Sequence, residues 1–411
     1  MSSNSQDARP NRRGGRGFAR GGWRGRGSSH TSTTPQQQPR ANEPFGPRID
    51  SFNAKTLLVE KESPGIKDVK YVGSYNWLNT NAPVILVPGS PPAWTPPAQD
   101  VKLNRDRGAV YRDTNAARYA SYPMEPAVRA VLAMQSQSEL PSVDIFGCGS
   151  TIGSLLRCAR SESMPFRFDI DVIGNTVFMV RRGESPTEMI TDLQGYGQTF
   201  PETYTTWDAD VRNSCSHQRI ISYDFGGMQF LVRSETDGYI RTSTAEPTSS
   251  TESGDDVSID TVLNTMGNDV RQSQEGTTLE VRAQGTPIPQ DQIFDIKTRA
   301  SYKQFDMEDI LPRLWVNQTP NFLLAYHEFG LFNKPKVTSV QCEVLKWQKD
   351  NSSLLARFHA LIKRIMDVVR DSDGQQFEIS WDGQGPLCIT KQIATGRMAL
   401  PTDLSTLWEA L

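Results

Sequence analysis

The order of apolar and polar positions divides the chain into unlike blocks. Residues 1–48 are Gly, Arg, Ser, Gln and Pro with almost no apolar content. They have nothing to bury against the cost of ordering, so a disordered segment is expected. From Asp50 onward apolar residues recur with regular periods. Residues 70–77 alternate as a strand, and residues 84–87 read as a short buried strand ending at Pro88-Gly89. Residues 91–97 must be extended, because proline fixes φ and restrains its predecessor. A polyproline ligand is one reading of that stretch. The other, preferred because it covers Trp94, is a clamp across the domain surface.

A helix opens at Glu125-Pro126, with Val128, Val131 and Leu132 as its apolar stripe. Ser150 is the expected cap of a second helix through Leu155, Leu156 and Cys158. The glycine-rich turn at 147–153 invites a phosphate-loop reading, but no Gly-Lys-Ser/Thr follows, and a tight strand-to-helix turn explains it better. Residues 166–173 and 176–180 form a hairpin at Gly174-Asn175. Its Asp169 and Asp171 are read as a solvated face rather than ligands. Residues 219–224 and 228–233 form another hairpin around Gly226-Gly227. Residues 242–290 are a Ser/Thr/Glu/Asp-rich insertion expected to be mostly disordered, since structureless loops this long are uncommon inside domains. Within it, Glu280 is a weaker alternative ligand. Beyond it come a strand at 292–297, a helix around 310–317 with Pro312 near its start, and strands at 321–329 and 337–346. The amphipathic helix of 354–369 and a hairpin of 377–381 with 387–391 complete the set. The expected fold is α+β (mixed α/β), one domain over residues 49–411, with mixed sheets flanked by helices.

Charge changes the picture at the N-terminus. Residues 1–40 carry eight arginines, no lysine and one acid, Asp7, a charge of +7 in a chain whose net charge is −3. An arginine-only segment on an acidic body points to a polyanionic partner. Arg13, Arg16, Phe18, Arg20, Trp23, Arg24 and Arg26 form RGG-type repeats with interleaved aromatics. Arginine contacts phosphate and stacks on bases, while Phe18 and Trp23 add stacking surface. RNA is the expected partner; a protein docking through this segment or the insertion is the alternative. No apolar run reaches membrane-spanning length, and the five cysteines stand singly with no C-x-x-C pair. No membrane association is expected. The expected compartment is the reducing nucleus and/or cytoplasm.

The candidate chemistry lies between residues 230 and 318. A strand ends in Glu235-Thr236-Asp237, and a second carries Asp295-Ile296-Lys297. Alternation puts Asp295 and Lys297 on one face. A carboxylate there can bind a metal while the ammonium orients water or offsets phosphate charge. With Glu235 and Asp237 alongside, the oxygen ligands suit Mg²⁺ or Mn²⁺ and a phosphodiester. Acid–X–Lys on a strand is common as a solvated face. The order acid–X–acid, acid–X–Lys and then Gln318 on a helix is not.

That order resembles the PD-(D/E)XK nucleases and, more closely, the DXO family of decapping and 5′-end exonucleases. The 195–202 segment Gly-Tyr-Gly-Gln-Thr-Phe-Pro-Glu is similar to the family's Gly-aromatic-X-Phe-Glu motif, with Pro201 as one extra residue. Glu235-Thr236-Asp237 and Asp295-Ile296-Lys297-Thr298 resemble its two acid motifs, and Trp315-Val316-Asn317-Gln318 its Trp-Ala-Gln. The 380–386 segment resembles a Ser-Trp-acid-X-Gly-Gly-Pro hairpin. The resemblance covers roughly residues 140–395 in short motifs. It implies a nuclease-like fold and a metal-dependent RNA hydrolase of decapping or 5′-end exonuclease type. Glu202, Glu235, Asp237 and Asp295 would be the metal ligands, with Asp237, Asp295, Lys297 and Gln318 in the chemistry. Thr236 and Asp295 depart from the family's apolar residue and Glu. The family's early arginine has no match; Arg181 and Arg182 stand near its place. These departures feed the alternative, a catalytically inactive nuclease-like module that binds RNA or a protein.

Overall fold

The computed structural model describes residues 43–59, 64–136, 142–183, 188–241, 278–393 and 397–411. The arginine-rich residues Arg13 to Arg26 and the middle of the acidic insertion lie outside the described residues. The chain folds as mixed sheets flanked by helices. In spatial order the larger sheet comprises β1 (Arg48–Phe52), β20 (Leu387–Lys391), β19 (Gln376–Trp381), β7 (Phe166–Ile173), β8 (Thr176–Val180) and β6 (Ile145–Cys148). It continues with β12 (Met228–Glu235), β11 (Ser214–Phe225), β2 (Ile66–Leu78), β3 (Val84–Pro88) and β14 (Glu280–Gln284). The smaller sheet runs β10 (Thr205–Thr206), β4 (Ala93–Trp94), β13 (Gly238–Tyr239), β15 (Ile293–Ala300), β16 (Asn321–Glu328) and β17 (Leu331–Phe332), with β18 (Thr338–Ser339) also on β16. A two-stranded ribbon joins β5 (Val110–Tyr111) to β9 (Met189–Ile190).

The helices are α1 (Thr114–Arg118), α2 (Glu125–Met134), α3 (Gly149–Arg160), α4 (Thr199–Tyr204), α5 (Leu311–Asn317), α6 (Gln341–Asp350), α7 (Ser352–Asp371) and α8 (Thr402–Glu409). Period-two strands and period-3.6 helices bury opposite faces of the larger sheet. On one face α3, α5 and α7 pack Leu155, Trp315, Phe358, Leu361 and Ile365 against Phe168, Tyr223 and Phe230. On the other, Val128 and Val131 of α2 and Trp408 of α8 meet Tyr75, Phe146 and Leu231. The smaller sheet packs Phe294 and Ile296 on Phe200, Tyr204 and Phe332. Trp94 completes that cluster, its ring 5.8 Å from both Tyr204 and Phe294. The proline-rich stretch is thus built into the smaller sheet as β4, between β10 and β13, rather than laid across the surface, and it covers Trp94 as expected.

Several expectations need correcting. Asp169 and Asp171 are not a solvated face. Asp169 is buried against Arg182 and Arg397, and Asp171 accepts the Ala399 amide at 2.7 Å. Residues 337–346 form only the two-residue β18 before α6, because Val344 and Trp347 bury one helical face. Ser150 does not cap α3; Cys148 precedes the helix and no side chain caps it. The insertion does not extend to 290, since Glu280–Gln284 is an edge strand parallel to β3. At the other end, residues 43–48 belong to the domain: the carbonyls of Glu43 and Pro44 accept from Arg167, and Arg48 opens β1. His359 is buried in α7 beside the Gly226 carbonyl, 3.1 Å away.

Candidate active site

Where β12 of the larger sheet ends, its chain passes into β13 of the smaller one, and the acid pair sits on that passage. Glu235 is the last residue of β12, opposite Gln218 of β11. Two residues on, Asp237 turns back on β15: its Oδ2 accepts the Ile296 amide at 2.6 Å. One hydrogen bond thereby ties the two acid motifs together although about 60 residues separate them. Asp295 lies on β15 on the face opposite Phe294 and Ile296 and is buried. Glu202 comes from α4, whose first turn is fixed from outside. The Asp106 carboxylate accepts from the Gln198 amide and from the Thr199 amide and hydroxyl at 3.0–3.2 Å.

Glu202, Glu235, Asp237 and Asp295 line one cleft of about 840 Å³. Arg112, Arg118, Arg181, Arg233 and Arg313 line it too, with Asp113, His217, Gln218 and Asn317. Most of these were not legible in the sequence, because they come from short α1, from β5 and from the strand facing β12, none of which carries a recognisable motif. Arg181, singled out beside the missing arginine, reaches the cleft and stands 3.5 Å from Asp113. Arg182 instead pairs with Asp169. Lys297 shares the Asp295 face of β15 but is buried behind the cleft lining. Gln318 turns away: it ends α5 in the left-handed region, φ 49°, and its amide donates to the Trp315 carbonyl.

The electrostatics are those of crowded acids set among arginines. Glu235 is surrounded by protein while its carboxylate still meets the solvent of the cleft. Desolvation, then Asp237, Asp113 and Asp295, push it up to about 7, with Arg313 opposing. Burial, then Asp106, raises Glu202. Burial also raises Asp295, while Arg313, whose Nη2 donates to Asp295 Oδ2 at 2.8 Å, pulls it back. Burial lowers Lys297 to about 8, helped by Arg313 and Arg299. His217 is kept neutral by burial, then by Arg219. Asn76 spends its amide nitrogen on the Ser90 carbonyl and the Ser214 hydroxyl, so its oxygen must accept from His217 Nδ1, at 2.6 Å.

The donor chemistry fits a divalent ion: hard carboxylate oxygens, with a rise at Glu235 that added positive charge would relieve. Among the described residues, no three acids, histidines or cysteines stand close enough to hold an ion as placed. Also among the described residues, no helix is long and apolar enough to cross a membrane. All five cysteines are free thiols.

Known proteins place the chain in context. No curated protein matches the sequence. Solved structures match the fold. S. pombe Rai1 in complex with 3′-FADP superposes with a TM-score of 0.54 at 12% identity, over 84% of this chain and 99% of that one. Candida albicans Rai1 in complex with pU5 and Mn²⁺ gives 0.51 at 9%, over 89% and 98%. Scheffersomyces stipitis Rai1 with 3′-NADP⁺ and calcium gives 0.50 at 10%, over 90% and 99%. The fold implied by the sequence motifs is therefore the fold found, that of the Rai1 structures, at low sequence identity. A family model described as a domain of unknown function (DUF8563) matches residues 61–382. This chain belongs to that family, the DUF8563 domains, and builds its domain on the Rai1 fold.

Proposed function

We propose that the cleft is the active site of a divalent-metal-dependent RNA hydrolase acting at or near RNA 5′ ends. One observation carries the reading. Acids from two sheets and a helix, Glu235, Asp237, Asp295 and Glu202, open on a single cleft whose walls also carry arginines. The Candida albicans Rai1 structure, with pU5 and Mn²⁺ bound, supports the class of substrate and cofactor.

Glu202, Glu235 and Asp237 would hold the ion, with Asp295 beside it. When bound, the ion supplies charge for the phosphate and acidifies water. The chain's own groups do the rest. Arg112, Arg118 and Arg181 line the cleft and would offer phosphate oxygens charge-assisted hydrogen bonds. Neutral His217, its tautomer set by Asn76, offers an Nε2 acceptor with no protein partner. Lys297, on the same face of β15 as Asp295, would add positive charge behind the site. In this proposal the arginine-glycine segment holds the RNA body while the cleft works on its end. Residence in the nucleus or cytoplasm follows from such a substrate.

The second reading is an inactive module that binds RNA, and a specific observation favours it: Arg313 already occupies Asp295. Digestion of 5′-labelled RNAs bearing monophosphate, triphosphate or capped ends, with Mn²⁺ and with EDTA, separates the two. Metal-dependent shortening that Asp237→Asn abolishes establishes the hydrolase. Tight RNA binding with no cleavage of any end establishes the module.

A further inference from the structure

The parallel strands β15 and β16 of the smaller sheet both run out into an exposed aromatic residue. Ala300 and His327 are the last pair in their register, and the Ser301 amide donates to the His327 carbonyl at 2.9 Å. Just past these ends stand Tyr302, 82% exposed, and Phe329, 79% exposed. Phe329 and Gly330 make the two-residue turn from β16 to β17, closed by the Glu328–Leu331 pair. Both lie in the left-handed region, with φ 50° and 92°. Such turns favour Asn-Gly, because a bulky side chain at positive φ is strained. The turn is held where it is: the Leu103 amide donates to the Gly330 carbonyl at 2.9 Å, and a Cβ on Gly330 would stand 2.4 Å from the Leu103 carbonyl oxygen. Phe329 buries little in return for its strain. A local rule broken without structural gain points to function.

Leu103, which holds the turn, belongs to a strap that leads to the cleft. Leu103 and Asp106 of the strap are buried, while Lys102, Arg105 and Arg107 are exposed. Ala109 and Val110 already line the cleft, and from Leu103 to Ala109 the chain spans at most about 22 Å. The three exposed cations face one free acid in the strap, Asp100, since Asp106 is spent on the first amides of α4. Burial, then Arg105 and Lys303, lower His327, so cations from the strap and from the turn after β15 converge on the end of β16. Lys303 Nζ stands 5.9 Å from the centre of the Tyr302 ring. The acid there, Glu328, accepts from the Ser301 hydroxyl at 3.3 Å. Exposed rings at the head of a row of cations match a single-stranded nucleic acid, whose bases stack while its phosphates pair. A purely apolar ligand would leave the cations unused. We propose that Phe329, Tyr302 and the strap cations Lys102, Arg105 and Arg107 form a second surface for single-stranded RNA, which holds the strand outside the cleft while its end lies inside. The inference rests on the hydrolase reading for the choice of RNA and for the end in the cleft.

Fluorescence anisotropy of a labelled, 5′-phosphorylated RNA of about 12 nucleotides, with the full chain in EDTA, tests the surface without cleavage. Phe329→Asn gives the turn its favoured residue, so its melting temperature should equal or exceed that of the wild type. Its affinity for the single strand should nevertheless fall about fivefold or more. The same RNA in a blunt duplex, whose bases cannot stack on the ring, should bind Phe329→Asn and the wild type alike. Arg105→Gln combined with Arg107→Gln should flatten the salt dependence by roughly 1.4 in log–log slope, and Lys102→Gln replaces that pair should it not fold. Photocrosslinking of a thiouridine-substituted RNA to the wild type should mark Phe329 or Tyr302. Unchanged affinity and salt slope in the variants, with no crosslink at either ring, overturns the proposal. A lower melting temperature of Phe329→Asn with unaltered affinity makes the ring structural and overturns it too. Weakened binding and a crosslink in a chain that cleaves no RNA overturn the hydrolase reading and leave the surface standing. Metal-dependent cleavage with RNA binding unchanged in every variant does the reverse.

Discussion

Asp237 serves two needs with its two oxygens, since one accepts the Ile296 amide while the residue crowds Glu235 with like charge. Asp237→Asn can keep the acceptor and lose the charge. Its expected outcome is a melting temperature at or above that of the wild type, with RNA cleavage reduced roughly 100-fold or more. Asp237→Ala strands the Ile296 amide and should cost about 1–3 kcal/mol in denaturant unfolding. Glu235 adds a pH signature. Its folded pKa, about 7, lies above its ordinary 4.5, so between those values the native state holds the extra proton. Stability therefore falls as pH rises through that window. Glu235→Gln removes that slope, and its gain over the wild type should be largest above pH 7. Melting curves from pH 4.5 to 8.5 check this, and a larger gain at the acid end would contradict it. The acid pairs were legible because strand alternation and spacing announce them. Arg313 was not, since nothing in Leu-Pro-Arg-Leu distinguishes a site cation from a solvated helix residue.

At the scale of elements, the helix holding Glu202 shows why short-range reading runs out. Helix α4 is a single short stretch, and its first amides are received by Asp106, about 90 residues upstream in a strap whose own amide donates to the Gly195 carbonyl. Asp106→Ala should lower stability by about 1–2 kcal/mol, as loss of a helix cap does. It should also weaken Mn²⁺ binding through misplacement of Glu202, and unchanged Mn²⁺ affinity in the folded variant would separate Glu202 from the ion. Strong periodicity was legible: the apolar positions of α7 recur over five turns and all face the core. Where periodicity was short it misled. Residues 337–346 read as a strand on their valine content, although Val340, Val344 and Trp347 recur at helical spacing. Asp169 and Asp171 looked solvated because Arg397, which pairs with Asp169, and the Ala399 amide, which Asp171 accepts, both arrive from more than 200 residues away.

At the scale of the molecule, the proposed function would divide the labour of holding RNA between the N-terminal segment and the domain. Residues from Glu43 on are built into the domain, where Phe45 covers the Arg167 guanidinium at 4.0 Å, so a cut that spares the domain belongs after residue 42. Removing residues 1–42 should leave the melting temperature unchanged while weakening RNA binding and flattening its dependence on salt, because the lost arginines release fewer counterions. Equal affinity and equal salt slope with and without the segment would exclude it from the interface.

The chain passes repeatedly between the two sheets. It leaves β3 of the larger for β4 of the smaller, and goes from β12 to β13, back to β14 and out again to β15. Each half of the sequence on either side of residue 260 therefore owns strands in both sheets. The first half lacks β19, which lies between β7 and β20, and the second lacks β13 and the Tyr196, Phe200 and Tyr204 rings that β15 packs on. Such lacing makes the domain a candidate for splitting. Residues 1–260 and 261–411, produced as separate chains, should each fail to fold alone, yet on mixing should zip together into one cooperative unit with the native near-ultraviolet signature. The cleft would then form only where the two pieces meet, with Glu202, Glu235 and Asp237 on one and Asp295, Lys297 and Arg313 on the other, so that RNA cleavage would report reassembly itself.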